Sequence, residues 1–238
     1  MLSHDEASKV AGQLRRYLED LTVFEGRTFV IPEGIEEAVS TAIPAAMETA
    51  TSVTGALEGF RQEICECMAC PLGKSRTRFV FGAGSPNADL MFIGEAPGAD
   101  EDRQGEPFVG AAGQLLTKII EAMQLSRDQV YICNILKCRP PNNRDPQAAE
   151  IETCEPYLQR QIELIQPRII CTLGLIAAQV LLRTQTSMGN LRGTLHSYQG
   201  IPVIATYHPA ALLRNAQWKR PTWEDMKWLR REYDGVEL

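Results

Sequence analysis

No apolar stretch in these 238 residues approaches the roughly 18 needed to cross a bilayer as a helix, so no membrane span is expected. The first residues also lack the basic-then-apolar pattern of a secretory signal: His4, Asp5 and Glu6 stand there, and a cytoplasmic location is expected. No internal repeat and no phosphate-cradling P-loop is present. Histidine is scarce, with three in the chain, so imidazole chemistry has few places to sit. Positive charge is short as well. There are 24 Lys and Arg against 30 Asp and Glu, a net of −6, which taken whole argues against a nucleic-acid binder. Dividing the chain removes that objection. Residues 1–63 hold 11 of the acidic and 5 of the basic residues, leaving 19 of each sign in residues 64–238. A neutral body with local basic clusters can hold DNA, with a modest dependence on salt.

What is present reads as one main domain with an appendage. Ser3 to Glu6 form a capping box, and Ala7, Val10, Leu14, Tyr17, Leu18 and Leu21 follow at helical spacing. From Ile43 to Ala56 the composition turns to Ala, Thr, Ser and Gly, as in a tether. Residues 1–60 are therefore assigned to a helical N-terminal extension and linker, and 61–238 to the main domain. In that domain strands are expected at Arg78–Phe81, Leu90–Ile93, Val130–Leu136, Arg168–Leu173, Leu195–Tyr198 and Pro202–Tyr207. Helices are expected at Gly113–Met123, Ala148–Ile165, Leu175–Leu182 and Trp223–Tyr233. This alternation predicts an α/β fold, a three-layer α/β/α sandwich around a mostly parallel sheet.

The chain is organised around Asp89 to Leu116. A short apolar strand feeds the loop Gly94-Glu95-Ala96-Pro97-Gly98, then an acidic segment, a lone Phe108, three glycines and an apolar helix face. Loops at strand ends are where parallel sheets place ligands, because free backbone N–H groups collect there. Read by itself, such a loop is more often a plain βα turn. Among the seven cysteines, Cys67 and Cys70 are two residues apart and Cys138 and Cys154 fifteen, which suits four thiolates around one metal centre. Spacing leaves zinc and iron–sulfur equally open. Cys133 and Cys171 lie inside expected strands and read as buried thiols.

Four stretches together carry a resemblance: Gly94 to Leu116, Asn134-Ile-Leu-Lys-Cys-Arg-Pro-Pro, the cysteine set, and His208-Pro-Ala-Ala-Leu-Leu-Arg. In this order they resemble the family 4 uracil-DNA glycosylases, over roughly residues 64–233. The resemblance implies a [4Fe–4S] cluster on Cys67, Cys70, Cys138 and Cys154, with Cys65 a nearby competitor. It implies a uracil pocket of Gly94, Glu95, Ala96, Phe108, Asn134 and His208. There Phe108 stacks on the base, Asn134 reads its edge, and His208 faces uracil O2. Without the resemblance, Phe108 reads as core packing and Asn134 and His208 as turn residues.

A related branch uses a carboxylate in the first motif to activate water, and the matching position here is Ala96, which cannot do so. Glu95 and Glu101 are the nearest candidates to position a water or offset a cationic sugar, with Asp100 and Asp102 read as solvated surface. Leu212 or Leu213 is expected to fill the gap left by a flipped base, or else to pack a helix turn. Arg139, Arg144, Arg214, Lys219 and Arg220 are the expected phosphate partners.

The resemblance thus implies a monomeric, monofunctional uracil-DNA glycosylase of base excision repair, acting on single- or double-stranded DNA. Pro140 to Pro146 lacks the basic, histidine-bearing insert of relatives that trap DNA covalently, and no lysine is among the six expected pocket residues to offer a Schiff base. The competing expectation is a metal-stapled DNA-binding module without turnover, tethered through residues 1–30 to a replication or repair protein.

Overall fold

Leu90 to Ile93 are apolar at every position, and Ile169 to Leu173 at all but Thr172, because the strands they form are covered on both faces. The structure, a computed structural model, describes residues 53–235. The capping box expected at Ser3, the helix expected behind it, the segment 1–30 and most of the expected tether lie outside the described residues.

In chain order the elements are helix α1 (53–64), α2 (Leu72–Ser75), strand β1 (Ala83–Gly84), β2 (Leu90–Gly94), α3 (Ala99–Gln104), α4 (Ala111–Ala122), β3 (Tyr131–Asn134), α5 (Ala148–Ile165), β4 (Ile169–Leu173), α6 (Leu175–Leu182), α7 (Met188–Leu191), β5 (His196–Tyr198), β6 (Ile201–Thr206), α8 (Pro209–Arg214) and α9 (Lys219–Tyr233). The strands form one sheet in the order β1-β3-β2-β4-β6-β5. The inner four run parallel, and β1 and β5 close the edges antiparallel.

Alternate strand residues face opposite layers. Met91, Ile93, Tyr131, Cys133, Ile170 and Val203 belong to one core with α5 and α6; Leu90, Phe92, Ile132, Ile169, Cys171 and Ile204 belong to the other with α4 and α9. This is the expected three-layer sandwich. No helix among the described residues is long and apolar enough to cross a membrane.

Three local expectations are corrected. Arg78–Phe81 is not a strand; there Val80 N–H bonds to Lys137 O, and pairing with β3 waits until Ala83. The acidic segment after Gly98 folds into α3, and Asp102 is buried, accepting from the Thr77 backbone N–H at 2.8 Å. Helix α1 begins inside the segment read as tether, with Leu57 and Ile64 buried in the core.

Candidate active site

The chain crosses from one side of β2 to the other after β3, so the loops following β2 and β4 lead in opposite directions, the switch point at which such sheets place ligands. Gly94 ends β2 and pairs in register with Asn134, the last residue of β3. His208 follows β6 and caps α8. Three remote segments are thereby brought to one place.

Phe108 is buried, and its ring centroid lies 5.5 Å from that of His208, tilted by 32°. A Cβ on Gly94 would collide with both Asn134 Oδ1 and the tip of the Phe108 ring, so only glycine lets the three approach. Phe108 itself holds a left-handed backbone, φ 54°, which is costly for an aromatic residue. It is held there from both sides. Arg127 donates to the Pro107 carbonyl at 2.8 Å and to the Phe108 carbonyl at 3.1 Å. Glu101 accepts from the Val109 and Gly110 N–H groups at 2.9 Å each and from Gly98 N–H at 3.1 Å. Arg127 had no signal in the sequence, since its role depends on carbonyls about twenty residues away.

Two buried side-chain atoms among the described residues take no hydrogen bond: Thr172 Oγ1, and Asn134 Oδ1 beside Phe108. A buried acceptor without a partner costs on the order of 1–3 kcal/mol. The Asn134 oxygen thus keeps a free acceptor beside the Phe108 ring.

His208 Nδ1 accepts from the Ala210 backbone N–H at 3.1 Å, which leaves its proton on Nε2. Burial, and then the Arg214 charge, push its pKa down to about 4 against the opposing pull of Glu101, so the ring is neutral near pH 7. Glu95 differs from Glu101. Its carboxylate makes no hydrogen bond among the described residues, and burial, then the charge of Asp145, raise its pKa to about 7. A half-buried carboxylate with a pKa raised to about 7 can take a proton from water. Ala96 packs against the core beside them.

The two leucines separate clearly. Leu212 is 2% exposed and packs inward, so it is corrected from wedge to core residue, while Leu213 is 52% exposed on the outer turn of α8. Arg214, Lys219 and Arg220 are exposed. Arg139 donates to Asn143 at 2.7 Å, and Arg144 is a correction: its guanidinium is committed to both oxygens of Glu150 at 2.8 and 2.6 Å, closing the start of α5.

Cys67, Cys70, Cys138 and Cys154 come from three segments and lie close enough to act electrostatically on one another: Cys67 and Cys70 on Cys138, and Cys70 and Cys138 on Cys154. Burial, foremost, pushes the Cys154 thiol up to about 11. N–H donors already face the sulfurs, Arg76 Nη1 to Cys138 at 3.4 Å and the Lys137 backbone N–H to Cys154 at 3.3 Å. Cys65 is turned away, its Sγ 3.3 Å from the Gln62 carbonyl. Among the described residues no group of three or more His, Cys, Asp and Glu side chains stands ready to hold a metal ion; the thiols are gathered but not closed on a centre.

A mostly parallel α/β sheet thus gathers an aromatic ring, a carboxamide and an imidazole at the carboxyl ends of its inner strands. The family model of the uracil DNA glycosylase superfamily matches residues 81–229. The type-4 uracil-DNA glycosylase of Sulfurisphaera tokodaii is 46% identical over 183 residues, 73% of this chain and 83% of its own. That of Archaeoglobus fulgidus is 45% identical over 179 residues, 72% of this chain and 90% of its own. That of Saccharolobus solfataricus is 46% identical over 180 residues, 72% and 83% of the two chains. The chain belongs to the uracil DNA glycosylase superfamily, on its type-4 branch.

Proposed function

We propose that this chain excises uracil from DNA, hydrolysing the N-glycosidic bond of a flipped-out deoxyuridine and leaving an abasic site. The observation that carries the reading is the orphaned Asn134 Oδ1, buried between Gly94 and the Phe108 ring. A fixed carboxamide there accepts from uracil N3–H and donates to O4, a pattern that cytosine reverses. Phe108 stacks on the base. The neutral His208 ring donates its Nε2–H to O2, where charge develops as uracil leaves as an anion. Glu95 takes a proton from the water whose oxygen bonds to C1′, while the C1′–N1 bond electrons go to the base. Glu101 is a positioning residue in this scheme, because its carboxylate is occupied by three backbone amides.

Leu213 fills the gap left in the stack, and Arg139, Arg214, Lys219 and Arg220 meet phosphates. Cys67, Cys70, Cys138 and Cys154 would hold a [4Fe–4S] cluster: a four-thiol donor set with N–H groups directed at the sulfurs suits it. When bound, that cluster supplies a cross-link between the Cys67–Cys70 turn and the loop after β3. The seven free thiols suit a reducing cytoplasm.

The test is excision from a uracil-containing oligonucleotide, read as alkali-sensitive breaks. Activity lost in Asn134→Ala supports the enzyme. Binding without breaks in the wild type supports the DNA-binding module instead.

A further inference from the structure

Lys137 is fully buried, an expensive place for an amine, and it has no carboxylate partner. Its Nζ donates to the Asn134 backbone carbonyl at 2.7 Å and to Gln161 Oε1 at 2.5 Å. Gln161 in turn donates to the Phe81 carbonyl at 3.0 Å and the Tyr131 hydroxyl at 3.1 Å. Every hydrogen-bonding group in this inner chain is thus matched to another.

The register of the sheet explains why an amine is needed there. Ile135 N–H bonds to the Gly94 carbonyl, so residue 135 faces β2. Backbone polar groups of successive strand residues point to opposite sides, so Asn134 turns its carbonyl outward, toward the β1 side. There β1 pairs only with Tyr131 and Ile132. The β1 pairing stops at Ile132, two residues short of Asn134, and the Asn134 carbonyl would be buried without a donor. Lys137 Nζ takes the place of the missing strand. An apolar side chain would fill the same volume at lower desolvation cost but would leave this carbonyl and Gln161 Oε1 empty.

We infer that Lys137 is a positioning residue for the base-reading amide: its bond to the Asn134 carbonyl holds the end of β3 rigid and so aims the Asn134 carboxamide. The inference rests on Asn134 being the uracil reader. It concerns geometry alone and is independent of whether the neighbouring cysteines carry a cluster.

The test is a double-mutant cycle with single-turnover excision of uracil, enzyme in excess so that slow variants are read. Lys137→Met keeps the length of the side chain and removes the donor. In the presence of Asn134 it is expected to lower the single-turnover rate by about tenfold to a hundredfold, the cost of a misplaced contact, while DNA affinity stays within about twofold. In an Asn134→Ala background the same substitution is expected to change the rate by less than about twofold, because the residue it acts through is gone. Lys137→Arg, which restores a donor, is expected to recover part of the loss. Equal losses in the two backgrounds, or no loss from Lys137→Met, overturn the inference. If Lys137→Met does not fold, Gln161→Leu removes the amine's other anchor, and the same cycle decides. A wild-type enzyme that excises uracil, with Asn134→Ala impaired, keeps the pocket reading intact, so a failed cycle then counts against Lys137 alone.

Discussion

Glu101→Ala is the most informative single perturbation of the pocket, because it separates a clamp from a catalyst. The Glu101 carboxylate accepts three backbone N–H groups, from Gly98 at 3.1 Å and from Val109 and Gly110 at 2.9 Å each. Bonds to a charged acceptor contribute about 1.5–3 kcal/mol each when buried. This carboxylate is only half-buried and water can reach the freed amides, so about 1 kcal/mol each, or about 3 kcal/mol in all, is the fair figure. For a chain of this size that corresponds to a melting temperature lower by about 6–12 °C. The second consequence is local. Phe108 holds φ 54°, a conformation that costs an ordinary residue about 1–2 kcal/mol, and the amides that follow it are the ones released. The ring should leave its place, lowering kcat/KM for uracil excision about tenfold or more at a temperature where the fold is intact. Glu101→Gln should fall between, since its oxygen still serves Val109 and Gly110 but its NH₂ opposes Gly98 N–H. Differential scanning calorimetry and excision kinetics on the same preparations check both parts. A Glu101→Ala protein that melts with the wild type refutes the clamp.

Other outcomes follow from the same contacts. Arg127→Met frees the Pro107 and Phe108 carbonyls from the other side and should cost about 1–3 kcal/mol in denaturant unfolding, with weakened excision. The excision rate should rise with pH through about 7 as Glu95 ionises, and this limb should vanish in Glu95→Gln. Because the Glu95 pKa is raised in the fold, the folded state binds the extra proton, and its share of stability is lost as pH rises from 4.5 to about 7. His208 has the reverse sign: its lowered pKa makes the fold lose stability as pH falls from 6.5 toward 4, which Glu95→Gln leaves visible in pH-dependent melting. Leu213→Ala should weaken excision from duplex DNA with an unchanged melting temperature, while Leu212→Ala should destabilise by about 2–4 kcal/mol. Anaerobically purified protein should be coloured and carry about four iron and four sulfide per chain, reduced in Cys70→Ser; a colourless zinc protein would contradict the cluster assignment.

Periodicity was sufficient where packing is symmetric. Ala148–Ile165 is legible because it lays a repeating apolar stripe on the sheet, and Leu175–Leu182 because it is a run apolar at all but Gln179. Arg78–Phe81 misled for the opposite reason: apolar residues there fill a core without a neighbouring strand to pair. Asp100 and Asp102 read as solvated surface and Glu101 as a candidate to position a water, since nothing local announces that Asp102 accepts the Thr77 amide or that Glu101 gathers three others. Phe108, Asn134 and His208 were legible as motif positions, and the fold brings them together. Lys137 and Arg127 were not, because a lysine in a strand-end motif and an arginine in a turn reveal nothing until the carbonyls they serve are placed.

The central claim is that the empty acceptor on Asn134 awaits the N3–H of an extruded uracil. The direct measurement compares single-turnover excision of deoxyuridine with that of N3-methyldeoxyuridine at the same position of one oligonucleotide. Loss of that single donor should slow excision by about a hundredfold or more. Equal rates on the two substrates would contradict the account.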